Sequence, residues 1–167
     1  FELLIMKKFL LLLLFVPLVG FGQSYKDVMS ISSVDMFKKV AIENGYEFDS
    51  VDEDDWVTYG YNIHRDSIEG NKSGKWIYYN QKDHRFVLRF SRTSSFFGIN
   101  LTTDFLEEIN PYDIIVKDIK EKCKYYKIIN YKGTAYVTYS CSESSYKGKI
   151  GFVIKEGWGI IRHFPEE

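Results

Sequence analysis

The sequence predicts an α+β fold: a duplicated helix-plus-antiparallel-strands unit, with helices packed on one face of an antiparallel sheet. Three echoes carry that reading. Val57-Thr58-Tyr59 returns as Val137-Thr138-Tyr139, each tripeptide preceded by an aromatic residue, Trp56 or Tyr136. Ahead of them, SVDMFKKVAIENG (33–45) and PYDIIVKDIKEKC (111–123) share an amphipathic pattern. Behind them, KWIYYNQKDHRFVLRF (75–90) and KIGFVIKEGWGIIRHF (149–164) both read apolar strand, polar turn, apolar strand. The copies are offset by 78 residues at the helix, 80 at the tripeptide and 74 at the last hairpin, and such loop-sized drifts in a fixed order are the mark of a duplication.

The chain of 167 residues opens on a segment that does not belong to this fold. From Met6 it reads MKKFLLLLLFVPLVGFGQS: two lysines, an apolar run from Phe9 to Val16, then Pro17 and small residues at Gly20 and Gly22. That order predicts a secretory signal over 1–23, cleaved near Gly22–Ser24, with residues 1–5 lying upstream of the start methionine. The apolar run is short for a span of about 20 residues and no basic stop follows it, so no stable membrane insertion is expected after cleavage. The remainder, 24–167, is expected to be a single globular domain of two repeats, about 33–92 and 110–164, in a periplasmic or secreted protein. A net charge of −1 gives no footprint for nucleic acid. An aromatic content of 17% favours strands and contact surfaces.

Each element has a local reason. In the first helix, 33–44, Val34, Phe37 and Ala41 make one apolar stripe, Ser33 can cap the start and Gly45 can close the end. In the second, 111–122, Tyr112, Ile115 and Ile119 make the stripe, with Asn110 and Pro111 as cap and first residue. Strands are expected at 46–51, 55–63, 75–80 and 84–92, and again at 124–130, 134–142, 148–154 and 158–164. Between the copies, 91–110 is a Ser/Thr-rich connector carrying Phe96, Phe97, Ile99 and Leu101.

Cys123 and Cys141 are the two cysteines, and in an exported chain they predict a disulfide. Asn130-Tyr131-Lys132-Gly133 suits a three-residue hairpin with a glycine bulge, which sets Asn130 opposite Thr134 and, further along, Cys123 opposite Cys141. A two-residue turn at Lys132-Gly133 would instead set Cys141 opposite Lys124. The first register places Cys123, Tyr125, Ile129, Ala135, Val137, Tyr139 and Cys141 on the helix-covered side, with Val57, Tyr59 and Tyr61 as counterparts. The opposite side then carries Tyr126, Ile128, Tyr136 and Thr138, and Trp56 and Thr58 in the first copy. The far face of an antiparallel sheet is normally polar. Here it is aromatic, which points to a covered or ligand-binding surface.

Motifs for chemistry are sparse. His64, His84 and His163 lack ligand spacing and read as surface or sheet-edge residues, so no metal and no cofactor are expected. The acidic run Asp49, Asp52, Glu53, Asp54 and Asp55 lacks the order of a calcium loop and reads as a solvated hairpin turn. GNKSGK (70–75) has three residues between its glycines, where a phosphate loop needs four.

The leader ending VGFGQS resembles those of exported proteins from Bacteroidetes-type bacteria, and the rest resembles small, uncharacterised secreted proteins of that group. The twice-repeated helix and strands are similar in architecture to the beta-lactamase-inhibitor-protein and PepSY-like folds; in the inhibitor family the open sheet face grips a partner protein. The resemblance rests on element order and transfers no residue role. The expected function is therefore an exported, non-catalytic binding module for a protein, peptide or envelope component, with Trp56, Tyr126 and Tyr136 as anchors beside Thr58 and Thr138. The alternative is a small apolar ligand-binding or structural cell-envelope protein, in which Phe96 and Phe97 of the connector roof the same face. A hydrolase with a site assembled outside any motif comes third.

Overall fold

The computed structural model describes residues 23–92, 95–96, 99–100 and 110–166. The expected leader up to Gly22, and the roof expected from Phe96 and Phe97, lie outside the described residues and side chains. Among the described residues there are three helices, α1 (Tyr25–Ser30), α2 (Val34–Glu43) and α3 (Pro111–Lys122). Eight strands form one antiparallel sheet: β1 (Tyr46–Val51), β2 (Trp56–Tyr61), β3 (Lys75–Asn80), β4 (Arg85–Ser91), β7 (Lys124–Tyr131), β8 (Thr134–Ser140), β9 (Gly148–Lys155) and β10 (Trp158–Pro165). A separate short ladder joins β5 (Ser95–Phe96) to β6 (Ile99–Asn100).

The helices form where capping chemistry and apolar spacing agree. Ser33 accepts a hydrogen bond from Met36 N at 3.3 Å, and α2 turns Phe37, Val40 and Ala41 inward before Gly45, at φ +74°, ends it. Asn110 accepts from Tyr112 N at 3.0 Å, and α3 buries Tyr112, Ile115, Val116 and Ile119. The helix α1 was not expected. Ser24 and Asp27 form a reciprocal capping box, and Tyr25, Val28 and Met29 are buried.

All three helices pack on one face, over a core that includes Phe37, Ile77, Tyr79, Leu88, Ile115 and Ile161. Phe37 stacks on Tyr79 with ring centres 5.2 Å apart. The ring of Tyr112 lies so close over Gly159 that a Cβ there would sit 2.5 Å from it. The strand order is β1-β2-β3-β4-β10-β9-β8-β7, two meanders joined where β4 pairs with β10.

The β7–β8 hairpin corrects the expected register. Lys132 and Gly133 both take positive φ, 47° and 75°, making a two-residue turn with Tyr131 opposite Thr134. The register then shifts between Tyr125 and Ile128, and beyond the shift Tyr125 faces Tyr139 and Lys124 faces Ser140. Thr138, fully buried, donates to the carbonyl of Lys127 at 2.5 Å and so satisfies the displaced backbone. One shift cancels the other. Cys123 and Cys141 are bonded, with Cα atoms 4.5 Å apart, although the turn is not the one expected. Between bulge and turn the faces are exchanged. Ile129 belongs to the helix-free side with its partner Tyr136, and Ile128 belongs to the helix side with Val137.

Two outcomes test this hairpin. The double variant C123S/C141S should lose about 3 kcal/mol of stability in urea unfolding, the chain-entropy value for so short a loop. Removing the buried donor with T138V should cost about 1–3 kcal/mol, whereas T58V, at the echoed but half-exposed position, should fall within about 0.5 kcal/mol of the parent.

Candidate ligand-binding face

Alternation along the strands sends a second set of large side chains to the helix-free face. One row of facing residues runs Thr58, Tyr78, Val87, Arg162, Gly151 and Thr138, joining the two echoed threonines across six strands. The next row runs Gly60, Trp76, Arg89, Ile160 and Val153. The glycines in these rows are seats for rings: a Cβ at Gly60 would come within 2.7 Å of Trp76, and one at Gly151 within 2.6 Å of Phe164. The guanidinium of Arg89 lies over Trp158, 4.7 Å from the ring centre. Burial raises the Tyr78 phenol above its ordinary value, and Arg89 partly offsets this.

The five expected site residues share this face but not one role. Trp56 and Thr58 are half-buried, and Tyr126 is 43% exposed beside the bulge. Tyr136 is only 5% exposed, edge-on to Phe164 with ring centres 5.2 Å apart, so it is packing and not an open anchor. Thr138 is spent on the bulge carbonyl. The sequence reading missed Trp76, Tyr78, Trp158, Arg162 and Phe164. The signal was present, since Trp158, Ile160, Arg162 and Phe164 alternate with core residues along β10.

Twist brings distant corners of the sheet together on this side. A flat sheet would hold the β1–β2 and β7–β8 turns more than about 24 Å apart, the width of the five strand spacings between β2 and β8, since they also lie at opposite ends of the strands. Instead Asp54, Asp55 and Trp56 line one hollow of about 540 Å³ together with Tyr131 and Lys132. A neighbouring hollow of about 440 Å³ is lined by Tyr126, Ile129, Tyr131 and Phe164, with Arg85, Lys149 and Arg162 among them. Arg162 crosses from β10 to the ring of Tyr131 on β7, 4.1 Å from its centre.

The acidic run behaves as turn chemistry. The Asp52 carboxylate accepts from Asp54 N at 3.0 Å and from Trp56 N at 2.9 Å. Among the described residues no three His, Cys, Asp or Glu side chains come together as a metal site would require. His64 sits in a bridge with Lys72, and the Nδ1 of His84 lies 3.2 Å from the Tyr79 hydroxyl.

His163 is not the surface residue expected. It is 1% exposed on the helix side, stacked on Tyr146 at 3.9 Å with Phe86 edge-on at 3.7 Å, and neither ring nitrogen has a partner. Desolvation holds its pKa well below the ordinary 6.5. As pH falls below about 6.5 the unfolded chain takes the proton first, so this residue contributes stability that is complete above that pH and lost on acidification. The urea midpoint should therefore drop between pH 7.5 and 5.5, and H163F should remove that part of the drop. At pH 7.5 the variant should be as stable as the parent or more stable, because two unpaired nitrogens are removed.

No family model, curated protein or solved structure matches this chain.

Proposed function

We propose that this chain is an exported, non-catalytic binding module that docks a protein, peptide or envelope component on its helix-free sheet face. The observation that carries the reading is the composition of that face. Trp56, Trp76, Tyr78, Trp158 and Ile160 are half-buried where an antiparallel sheet ordinarily presents polar side chains to water. Rigid aromatic side chains supply contact area at low entropic cost, and their partial exposure leaves them available.

The export reading rests on the leader sequence, and a disulfide together with the lack, among the described residues, of any helix long and apolar enough to cross a membrane is compatible with it. A duplication is supported by the order helix, strand, strand, strand, strand, which occurs twice, and by two meanders meeting at one pair of equivalent last strands.

The test uses crosslinked capture of partners from an envelope extract of the source cell. W56S and Y126S should leave the melting temperature within a few degrees of the parent and lower capture by about tenfold or more. Y136S should instead lower the melting temperature, because that ring is packed. Unchanged capture with both W56S and Y126S would overturn the reading.

A further inference from the structure

Arg162 is the least expected charge in the molecule. It is 9% exposed, in the middle of the β10 segment of the helix-free face. Tyr131, Tyr136 and Phe164 surround its guanidinium at 4.1, 5.9 and 5.8 Å from their ring centres. Among the described residues no carboxylate lies within ion-pair distance of it, and no carbonyl or hydroxyl accepts from it. Rings around a guanidinium offer no oxygen acceptor to its five in-plane N–H donors. A buried charge held this way remains short of acceptors, and cation–π contact offsets only part of its desolvation.

The same hollow collects two further cations. Arg85 lines it, tied to Asp83 at its tip while its Nε is buried with no partner. Lys149 lines it from β9, its Nζ 5.0 Å from the Tyr126 ring centre and 3.4 Å from the Ser140 hydroxyl. Glu166 is the one acid among the described residues that line this hollow. The acids of the β1–β2 turn line the neighbouring hollow, which Arg162 and Arg85 also line, and none of them lies within ion-pair distance of Arg162.

We infer that the hollow is a subsite for an oxyanion, a carboxylate or phosphate, borne on an apolar or aromatic carbon skeleton. The oxyanion meets the edge of Arg162, with Lys149 lining the same hollow. The skeleton lies against Tyr126 and Ile129. Planar bidentate recognition of an oxyanion by arginine accounts for the residue type, and the rings that fix the guanidinium hold it ready before the ligand arrives. The volume, about 440 Å³, admits a group the size of a substituted benzene and not a polymer, so the subsite takes one anionic group of whatever the aromatic face binds. This inference rests on the binding face proposed above and specifies its chemistry.

The experiment is titration of the intact protein with phenyl phosphate, benzoate and inorganic phosphate, followed by calorimetry and by the tyrosine ring signals in NMR. Saturable binding of phenyl phosphate or benzoate near or below about 1 mM is expected, at least about tenfold tighter than inorganic phosphate and weakened by salt. Which of the two binds more tightly identifies the phosphate or the carboxylate as the natural group. R162Q should weaken binding at least about tenfold. Should R162Q fail to fold, K149Q, at a partly exposed position, decides the matter with an expected loss of about threefold. Absence of saturable binding up to about 10 mM, or affinity unchanged in the folded variants, would overturn the subsite. If that occurs while W56S and Y126S still abolish capture, the oxyanion inference falls and the binding face stands. If the anions bind but capture ignores those two variants, the face reading falls and the hollow stands alone as an anion site.

Discussion

The pairing of β4 with β10 is the constraint on which the rest of the molecule depends. Each meander is held by local turns, and the helices pack on the sheet that the two meanders make together. The ladder from Trp158–Ser91 to Arg162–Val87 turns two four-stranded pieces into one surface. On the helix side it puts Leu88 beside Ile161, and Gly159 of the same strand takes the Tyr112 ring of α3. The ion pair of Arg92 with Asp113, in which one guanidinium nitrogen donates to both carboxylate oxygens at 2.7 and 2.9 Å, ties the end of β4 to the start of α3. On the other side the same ladder brings the rows from the two halves into line, so that Arg85 and Arg162 can line one hollow.

Much of this was legible because periodicity is a local property. The stripes of α2 and α3, their caps and the strand segments of the sheet all follow from residues within a dozen positions of one another. What escaped is what depends on other parts of the chain. Asn130-Tyr131-Lys132-Gly133 is compatible with two hairpin geometries, and the choice places Lys132, neither glycine nor asparagine, at positive φ. The bulge at Tyr126 and Lys127 has no signature in β7, because the hydroxyl that satisfies it belongs to β8. The six residues of α1 are too few for an apolar stripe to stand out.

The helix-free face shows the same division. Strand alternation put Trp56, Tyr126 and Tyr136 on one side of the sheet, and all three are there. Alternation does not report which rings are covered, and that depends on a twist that brings β7 over β10. In the sequence, 158–164 reads as a strand, with His163 as a surface or sheet-edge residue. In the fold Arg162 lies under rings from β7 and β8, and His163 lies under Tyr146 from the β8–β9 loop. Both are buried by segments that no local pattern connects to them. Such charged and titratable side chains, placed where a hydrocarbon would pack with less cost, are where stability has been set aside for something else.

The bulge in β7 has a further consequence, for behaviour at high concentration. As the last strand of the sheet among the described residues, β7 has no partner strand on its outer side there, and it carries Tyr125, Tyr126 and Ile128, each more than 40% exposed. A straight strand of that composition is a template for another copy to extend the sheet. Displacing the backbone at Tyr126–Lys127 breaks the spacing that a second strand would need. The irregularity that brings the cysteines into register is therefore also the kind of interruption that makes an edge strand a poor template.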